Sequence, residues 1–486
     1  MIDLALMKGV HVDAKARTGR VQGGVTWGEF NRETQVHGLA TTGGVISTTG
    51  VAGLTLGGGV GWLMSKHGLS LDNLLSADLV TAEGKMVRAS ADENPDLFWA
   101  VRGGGHNVAG RATVDNGLMI DLAPMKGVHV DAKARTGRVQ GGVTWGEFNR
   151  ETQVHGLATT GGVISTTGVA GLTLGGGVGW LMSKYGLSLD NLLSVDLVTA
   201  EGKVVLASAD ENPDLFWAVR GGGGNFGIAT SLEFSLHPVG PMITGGLAAH
   251  PFAKARDVLR FFHDSTRSLP DDMSVVCALT HAPDGSGAPI AALAVAHCGN
   301  LAEGEAGVKP IKAFGTPIID ALGPMPYSAL NAMLDAGYPK GALNYWKSSF
   351  LSGLSDQAID TMIECFARCP TPMGALLLEH FHGAVCRTTT TAAAFPHRAE
   401  GYNLLVLAQW LEPAENARCI TWARASYDAM KPFMAKGRYV NYLGDDEATD
   451  QVAAAYGPNY ARLSEIKRKY DPGNVFHLNQ NIRPLG

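Results

Sequence analysis

The chain has 486 residues, of which 45% are hydrophobic and 17% are charged, and its formal net charge at pH 7 is −6. Two or three domains are expected at this length, because single hydrophobic cores stop growing near about 250–300 residues. The slightly acidic balance excludes a protein that binds nucleic acid through a basic surface, and no apolar run reaches the roughly 18 residues of a membrane-spanning helix. The chain does not open on a secretory signal, so we expect a cytoplasmic protein.

Residues 1–105 recur almost unchanged as residues 119–223. The 105 aligned positions differ at five places, which are Leu6/Pro124, His67/Tyr185, Ala77/Val195, Met86/Val204 and Arg88/Leu206. The near identity of the copies indicates a recent duplication, either natural or engineered. Solenoids and propellers repeat several times with periods of roughly 20–50 residues, whereas this segment recurs once at an offset of 118, so it is not a repeat architecture. The copies diverge where VRGGG meets His106 in the first and Gly224 in the second. Only the second copy runs into a long unrepeated segment, so we expect the first to be surplus.

Helices and strands are predicted between the glycine-rich segments of the second copy. RVQGGV (138–143) alternates as a strand, and the capping box of Thr144 and Glu147 predicts a helix that ends at Gly156. SVDLVTA and KVVLAS flank Glu201-Gly202 as a hairpin.

A helix over Leu215 to Val219 is predicted after Pro213, because proline favours the first helical position. The strand SLEFSLH (231–237) then places Leu232, Phe234 and Leu236 on one face. The same LFWAV sequence at 97–101 is expected to be extended, since it leads into RGGGHN.

Between residues 241 and 430, strand-like runs alternate with longer helical runs. MSVVCALTHA, GALLLEHFH and GYNLLVLAQW are typical of strands, and ARDVLRFFHDSTRSL and NARCITWARASYDAM are typical of amphipathic helices. His380, His382 and His397 lie in this region and could face a pocket, but such histidines more often belong to the scaffold. All six cysteines follow residue 240 without a CxxC pair, so we expect thiols and no metal site.

Glycine is the compositional outlier, with 63 residues in the chain against a usual share of roughly 7%. The glycines cluster in three loops, at 103–105, 159–179 and 221–224. Such loops expose main-chain N–H groups and allow a pyrophosphate to approach the backbone. The loops lack both the G-x-G-x-x-G spacing of a Rossmann unit and the G-K-[ST] of a P-loop, which points to a different dinucleotide fold and makes a nicotinamide dehydrogenase remote.

Four segments of the chain, in the family's order, resemble the berberine bridge enzyme type of FAD-linked oxidases. They are RGGGHNVAG, TTGGVISTTGVAGLTLGGGVG with GLSLDNL, GGGGNFGIATSLEF, and YVNYLGDDE with YDPGNVFHLNQNI. These enzymes belong to the vanillyl-alcohol oxidase and p-cresol methylhydroxylase superfamily. The resemblance implies an α+β fold, in which a two-subdomain FAD-binding domain is joined to a substrate domain with an antiparallel sheet flanked by helices. The implied divisions are a duplicated appendage at 1–96, the FAD-binding domain at 97–240, the substrate domain at 241–430 and a C-terminal segment at 431–486 that returns to the FAD domain.

The resemblance also implies the cofactor and the residues that would hold it. The cofactor is FAD, bonded to the protein once, through His106, because Ile164 stands where many relatives carry a second, cysteine tether. Thr167 stands at the position thought to control oxygen access, and its small side chain favours an oxidase that uses O2. The expected cofactor-binding residues are Arg102, Gly103, Gly104, Gly105, His106, Asn107, Gly110, Gly161, Gly162, Thr166, Thr167, Gly168, Gly171, Gly175, Gly176, Asn225, Gly227, Ile228, Asn479 and Asn481.

Catalysis in such enzymes moves a hydride from a substrate carbon to flavin N5 while a base takes a proton from the adjoining hydroxyl. Tyr442 matches the catalytic tyrosine of the family, and Tyr439 and Asn441 are its neighbours. The expected substrate is a small alcohol, sugar or specialised metabolite. One departure leaves a second reading open: the strand, helix and strand that precede RGGGHN in relatives are replaced here by the duplicated segment. The alternative is therefore a non-catalytic remnant whose first FAD subdomain was disrupted by the duplication.

Overall fold

The computed structural model describes residues 4–56, 62–67, 70–80, 86–90, 120–339, 341–444, 449–478 and 480–486. The described residues separate into two compact units, one containing those from 4 to 90 with Ile120 and the other those from 121 to 486. Within these described ranges, no helix has the length and apolar character needed to cross a bilayer. The segment LFWAV at 97–101, predicted to be extended, lies outside the described residues.

The first unit is built from short elements of the first copy. Its strands are β1 (Val10–Asp13), β2 (Thr18–Val21), β3 (Ser76–Val80) and β4 (Met86–Ser90), and its helices are α1 (Trp27–Gln35), α2 (Val51–Leu56) and α3 (Met64–His67). β1 pairs antiparallel with β2, and β3 pairs antiparallel with β4. A small core of Val25, Trp27, Phe30 and Val51 lies under α1.

The second copy begins the second unit with an antiparallel five-stranded sheet in the order β5-β6-β10-β8-β9. Its strands are β5 (Val128–Asp131), β6 (Thr136–Gln140), β8 (Leu192–Val198), β9 (Val204–Ser208) and β10 (Ile228–Ser235). The short strands β7 (Leu157–Ala158) and β11 (His237–Pro238) pair separately. The helices are α4 (Trp145–Gln153), α5 (Val169–Leu174), α6 (Met182–Tyr185) and α7 (Pro213–Val219).

Most local predictions for the second copy are confirmed. The Thr144 and Glu147 capping box is present at the start of α4, the hairpin of β8 and β9 forms, and α7 is helical over LFWAV. Leu232 and Phe234 are fully buried, as expected from their common face. Two boundaries were wrong: α4 ends at Gln153, before the turn at Gly156, and the strand predicted to reach residue 143 ends at Gln140.

The early end of β6 has a steric reason. A Cβ atom at Gly142 would lie 1.8 Å from the carbonyl oxygen of Leu122. The two glycines after Gln140 therefore serve close backbone approach, which ends the regular ladder.

The remainder of the second unit is an eight-stranded antiparallel sheet with helices against it. Seven strands follow the order β15-β12-β14-β13-β18-β19-β17, and β16 pairs with β12. The strands are β12 (Met242–Pro251), β13 (Met273–His281), β14 (Pro289–His297), β15 (Ile319–Asp320), β16 (Gly323–Pro326), β17 (Leu343–Leu351), β18 (Ala375–Phe381) and β19 (Gly401–Trp410). The helices are α8 (Ala255–Thr266), α9 (Leu301–Ala313), α10 (Tyr327–Ala332), α11 (Asp356–Phe366), α12 (Ala384–Arg387), α13 (Asn416–Met430), α14 (Thr449–Tyr456) and α15 (Tyr460–Tyr470).

Helices α8, α11 and α13 cover one face of this sheet and form a large apolar core with it. The opposite face meets the glycine-rich segment of the second copy, where Trp180 and Leu181 share a core with Ile243, Ala294 and Ala296. The predicted α+β architecture, with an antiparallel sheet flanked by helices, is confirmed.

Candidate functional site

The glycine-rich segment from residue 159 to residue 179 is held on α4 by main-chain hydrogen bonds. The Trp145 N–H donates to the Thr167 carbonyl at 2.9 Å, and the Gly146 N–H donates to the Ser165 carbonyl at 2.7 Å. A Cβ atom at Gly161 would lie 2.3 Å from the Trp145 ring. Glycine at 161 is therefore required by packing against Trp145, whatever else the loop binds.

A different part of the same segment has the features of a ligand cradle. A Cβ atom at Gly168 or Gly171 would meet no atom of the described residues within 4 Å, and Gly171 is exposed, so packing does not require glycine at these two positions. The hydroxyls of Thr159, Thr160 and Thr173 are buried and have no hydrogen-bond partner in the described part of the chain. Buried polar groups without partners are rare in native proteins, so these hydroxyls fit a cofactor rich in phosphate and hydroxyl groups.

Tyr439 and Asn441 clamp the C-terminal part of this segment. The Tyr439 hydroxyl accepts from the Gly177 N–H and from Asn441 Nδ2, both at 2.9 Å, and Asn441 Nδ2 also donates to the Leu172 carbonyl at 3.0 Å. Burial raises the pKa of Tyr439 to about 12, so its hydroxyl stays protonated at neutral pH. The two side chains are suited to holding the glycine segment in place.

Tyr442 lies beside a buried carboxyl that the sequence analysis did not single out. Its hydroxyl donates to Glu379 Oε1 at 3.2 Å, and Asn403 Nδ2 donates to Glu379 Oε2 at 2.7 Å. Burial raises the pKa of Glu379 to about 7, against the lowering effect of these two hydrogen bonds. Burial first, and then the charge of Glu379, raise the pKa of Tyr442 well above its usual value, so Tyr442 is a hydrogen-bond donor here.

A cavity lies between Glu379 and the glycine-rich segment. It is lined by Val163, Val178, Gly179, Trp180, Met182, Ser274, Val275, Val276, Glu379 and His380. The indole Nε1 of Trp180 is buried without a partner among the described residues. The cavity, which is about the size of one water molecule, therefore combines the Glu379 carboxyl with two ring nitrogens, of Trp180 and His380, that have no partner among the described residues, and its other lining is largely apolar.

Asn225, Gly227 and Ile228, expected at the cofactor, make contacts to protein. Asn225 Oδ1 accepts from the Ile482 N–H at 3.0 Å, and its Nδ2 donates to the Gln480 carbonyl at 3.1 Å. A Cβ atom at Gly227 would lie 2.7 Å from the Val198 carbonyl oxygen, and Ile228 pairs with Val198 in the sheet. Asn225 therefore fastens the C-terminal segment that carries Asn481, whose Oδ1 is buried and unpaired within the described ranges.

The remaining expected residues divide into two groups. Gly162, Thr166, Gly175 and Gly176 lie in the glycine-rich segment, as the spacing predicts. The others lie outside the described residues, namely Arg102, Gly103, Gly104, Gly105, His106, Asn107, Gly110 and Asn479.

The three histidines singled out between residues 241 and 430 differ in their surroundings, because His380 lines the cavity and its Nδ1 has no partner among the described residues. His380 stacks on His382 with ring centroids 4.5 Å apart and packs on Tyr402, and His397 Nε2 lies 2.8 Å from the Ala455 carbonyl oxygen. All six cysteines are free thiols, and no cluster of three metal-ligating side chains occurs among the residues that the structure describes.

Comparisons with known proteins match both the repeated N-terminal part of the chain and its C-terminal segment. The family described as FAD binding domain matches residues 1–90 and 93–208, and the family described as berberine and berberine like matches residues 438–483. The chain is 32% identical to (R)-6-hydroxynicotine oxidase of Paenarthrobacter nicotinovorans, over 83% of this chain and 89% of that protein. It is 30% identical to an FAD-linked oxidoreductase of Dictyostelium discoideum, over 80% of this chain and 84% of that protein.

Solved structures agree with the sequence comparisons. The crystal structure of 6-hydroxy-D-nicotine oxidase from Arthrobacter nicotinovorans superposes with a TM-score of 0.71 and 30% identity, covering 79% of this chain and 86% of that one. A berberine bridge enzyme variant in complex with (S)-reticuline superposes with a TM-score of 0.70 at 22% identity, covering 79% of this chain and 84% of that one, which supports the fold alone.

Proposed function

Because this chain belongs to the berberine-bridge-type family of FAD-linked oxidoreductases, we propose that it oxidises a small molecule by transferring a hydride from a C–H bond to FAD, with Glu379 as the final proton acceptor. The hydrogen bond between the Tyr442 hydroxyl and the buried Glu379 carboxyl is the observation that carries the proposal. When bound, FAD supplies the hydride acceptor at N5 and passes the electrons on to O2 in an oxidase.

The proton route follows from the protonation states of the two side chains. A substrate that loses a hydride from carbon must also lose the proton of its hydroxyl or amine group. Tyr442 can accept that proton as its own proton passes to Glu379 Oε1, 3.2 Å away. The Glu379 pKa of about 7 suits this role, since a general base works best with a pKa near the operating pH.

The proposed substrate class is an alcohol, a sugar or a specialised metabolite. A hydroxylated nicotine is a further candidate, because one relative is an (R)-6-hydroxynicotine oxidase. The cavity beside Glu379 is about the size of one water molecule, so it would admit a single O–H or N–H group of the substrate and not the whole molecule. O2 is the proposed electron acceptor, since Thr167 is small at the position linked to oxygen access.

A single covalent bond from His106 to the flavin is also part of the proposal. Ile164 is nearly fully buried at the place of the second tether of relatives and has no atom that could form one. We expect flavin to stay with the protein after acid precipitation and to be released from the His106→Ala variant, which would keep some reversibly bound FAD. Acid-stable flavin in that variant would place the tether elsewhere.

The test of the function is an oxidation screen with purified protein. Flavin bleaching under anaerobic conditions and O2 uptake would be recorded with alcohols, sugars, and amines that include 6-hydroxynicotine. Glu379→Gln is the informative variant, and Glu364→Gln, which changes an exposed carboxyl, is its matched control. Protein that binds no FAD would favour the non-catalytic remnant. Reduction by a substrate at equal rates in wild type and Glu379→Gln would remove Glu379 from the mechanism.

A further inference from the structure

A short segment of the substrate domain hydrogen-bonds to the middle of the glycine-rich loop. Asp335 Oδ1 accepts from the Ser165 N–H at 2.9 Å, and Asp335 Oδ2 accepts from the Ser165 hydroxyl at 2.5 Å. Four residues earlier, Asn331 Nδ2 donates to the Gly162 carbonyl. Asn331 is fully buried, and its Oδ1 has no partner among the described residues.

The first copy shows what the loop does without these contacts. Residues 41–50 have the same sequence as 159–168 and the same turn at the same place. The Gly28 N–H donates to the Ser47 carbonyl at 2.7 Å, the same distance as from Gly146 to Ser165. In the described part of the first unit, however, no carboxylate reaches the side chain of Ser47. The shape of the loop is therefore encoded locally, and Asp335 adds a restraint that only the second copy has.

We propose that Asp335 and Asn331 are positioning residues that fix the FAD-contacting loop on the substrate domain. The restrained stretch, Gly162 to Ser165, leads directly into Thr166 and Thr167. α10, which carries Asn331, also packs against α4, the helix on which the loop rests. The substrate domain thereby sets the position of the loop from both sides, through buried side chains of α10 and through the Asp335 carboxylate.

The expected strength of the restraint follows from the kind of bonds involved. Hydrogen bonds to an ionised carboxylate are roughly twice as strong as those between neutral groups. A loop that is held in place before the ligand arrives loses less conformational freedom on binding, which tightens affinity. Loss of Asp335 should therefore weaken FAD binding even though Asp335 need not touch FAD, and this expectation is independent of the substrate and of Glu379.

FAD affinity tests the proposal. In a His106→Ala background, which on the proposed function makes binding reversible, Asp335→Ala should raise the Kd for FAD about tenfold, a change of about 1.4 kcal/mol. Ser165→Ala, which keeps the bond from the Ser165 N–H, should raise it less. The double variant should be no worse than Asp335→Ala alone, because Asp335→Ala already removes both bonds to Ser165. Asp335→Asn, which keeps an oxygen acceptor for the Ser165 N–H but loses the charge, should have a Kd between those of the parent and Asp335→Ala. Ser47→Ala is the matched control and should leave the Kd unchanged.

Amide hydrogen exchange gives a second readout that a general loss of stability would not imitate. The loop sequence occurs twice in the chain, so the two loop peptides would have the same mass. The experiment is therefore done with Ser47→Ala present, which changes the mass of the first-copy peptide. Asp335→Ala should speed exchange in the peptide containing residues 161–168 and leave the peptide containing 43–50 unchanged. A Kd for FAD within about twofold of the parent, or unchanged exchange in the 161–168 peptide, would overturn the proposal.

Discussion

Burial of the Glu379 carboxyl connects its chemistry with the pH dependence of folding. The side chain is 4% exposed, and its pKa is raised from 4.5 to about 7. Because the folded state holds the proton more tightly than the unfolded state, the protonated carboxyl favours folding at low pH. That contribution is complete below about pH 4.5 and is lost as the pH rises through about 7.

Glu379→Gln should flatten this part of the stability profile. Glutamine cannot ionise, so the loss of stability between about pH 4.5 and 7 should be smaller in the variant than in the wild type. Chemical denaturation at a series of pH values measures the difference, and Glu364→Gln serves as the exposed control. Parallel stability profiles for wild type and Glu379→Gln would show that the carboxyl titrates normally in the folded protein.

Tyr442→Phe should separate proton transfer from cofactor binding. The change removes the hydroxyl that donates to Glu379 Oε1 but keeps the ring that packs against Tyr439 and Trp346. Flavin reduction by substrate should slow on the order of a hundredfold, the usual scale for loss of a positioned proton-transfer group. FAD content should be unchanged. Stopped-flow reduction with saturating substrate is the measurement, and a wild-type rate would exclude Tyr442 from the proton route.

The sequence predicts a catalytic role for Tyr442 but does not single out the Glu379 carboxyl beside it, and the reason is physical. Tyr442 lies in the YVNY motif, whereas Glu379 acquires its role through contacts made 63 and 24 positions away in the chain, with Tyr442 and Asn403. One signal was available: Glu379 is the only acidic residue in GALLLEHFH, and it directly follows the apolar run ALLL. An ionisable group in a buried strand needs partners, which marks it as a functional candidate.

At the level of elements, one sequence takes the same local form in two environments. Trp62 is 82% exposed and Ile46 is 62% exposed, whereas their counterparts Trp180 and Ile164 are 2% and 8% exposed. Local signals such as the capping box give α1 and α4 the same bounds within each copy. Burial is decided by residues far along the chain, here the strands and helix that surround Trp180, which local sequence patterns do not reveal.

The two tryptophans provide a matched pair of substitutions. Trp180→Ala should destabilise the second unit by about 3–5 kcal/mol, the usual cost of deleting a buried aromatic side chain. Trp62→Ala should change stability by no more than about 0.5 kcal/mol, as is usual for surface positions. Urea denaturation of both variants compares the costs, with the transitions of the two units treated separately. Equal losses in both variants would mean that Trp62 is buried in solution.

Over the whole molecule, four of the segments expected at the flavin site occur once although the FAD binding domain matches twice. RGGGHN, SLEF, YVNY and LNQN each appear a single time in the chain. In the second unit, Tyr439 and Asn441 of YVNY hold the glycine-rich segment, and Asn225 holds the terminal segment. Among the described residues, the first copy of the glycine-rich loop has no counterparts of Tyr439, Asn441 and Asn225 beside it, so it provides only part of the proposed flavin site.

We therefore expect one FAD per chain, bound by the second copy of the loop. Gly171 and its counterpart Gly53 allow the two copies to be tested separately. A Cβ atom at either position meets no described atom within 4 Å, so the fold should tolerate a substitution at either one. Gly171→Val would place a branched side chain at a position expected to bind the cofactor and should abolish FAD binding, whereas Gly53→Val should leave it at one per chain. Flavin absorbance after denaturation, divided by protein from amino-acid analysis, gives the stoichiometry. A wild-type value near two that falls by half in each variant would show that both copies bind flavin.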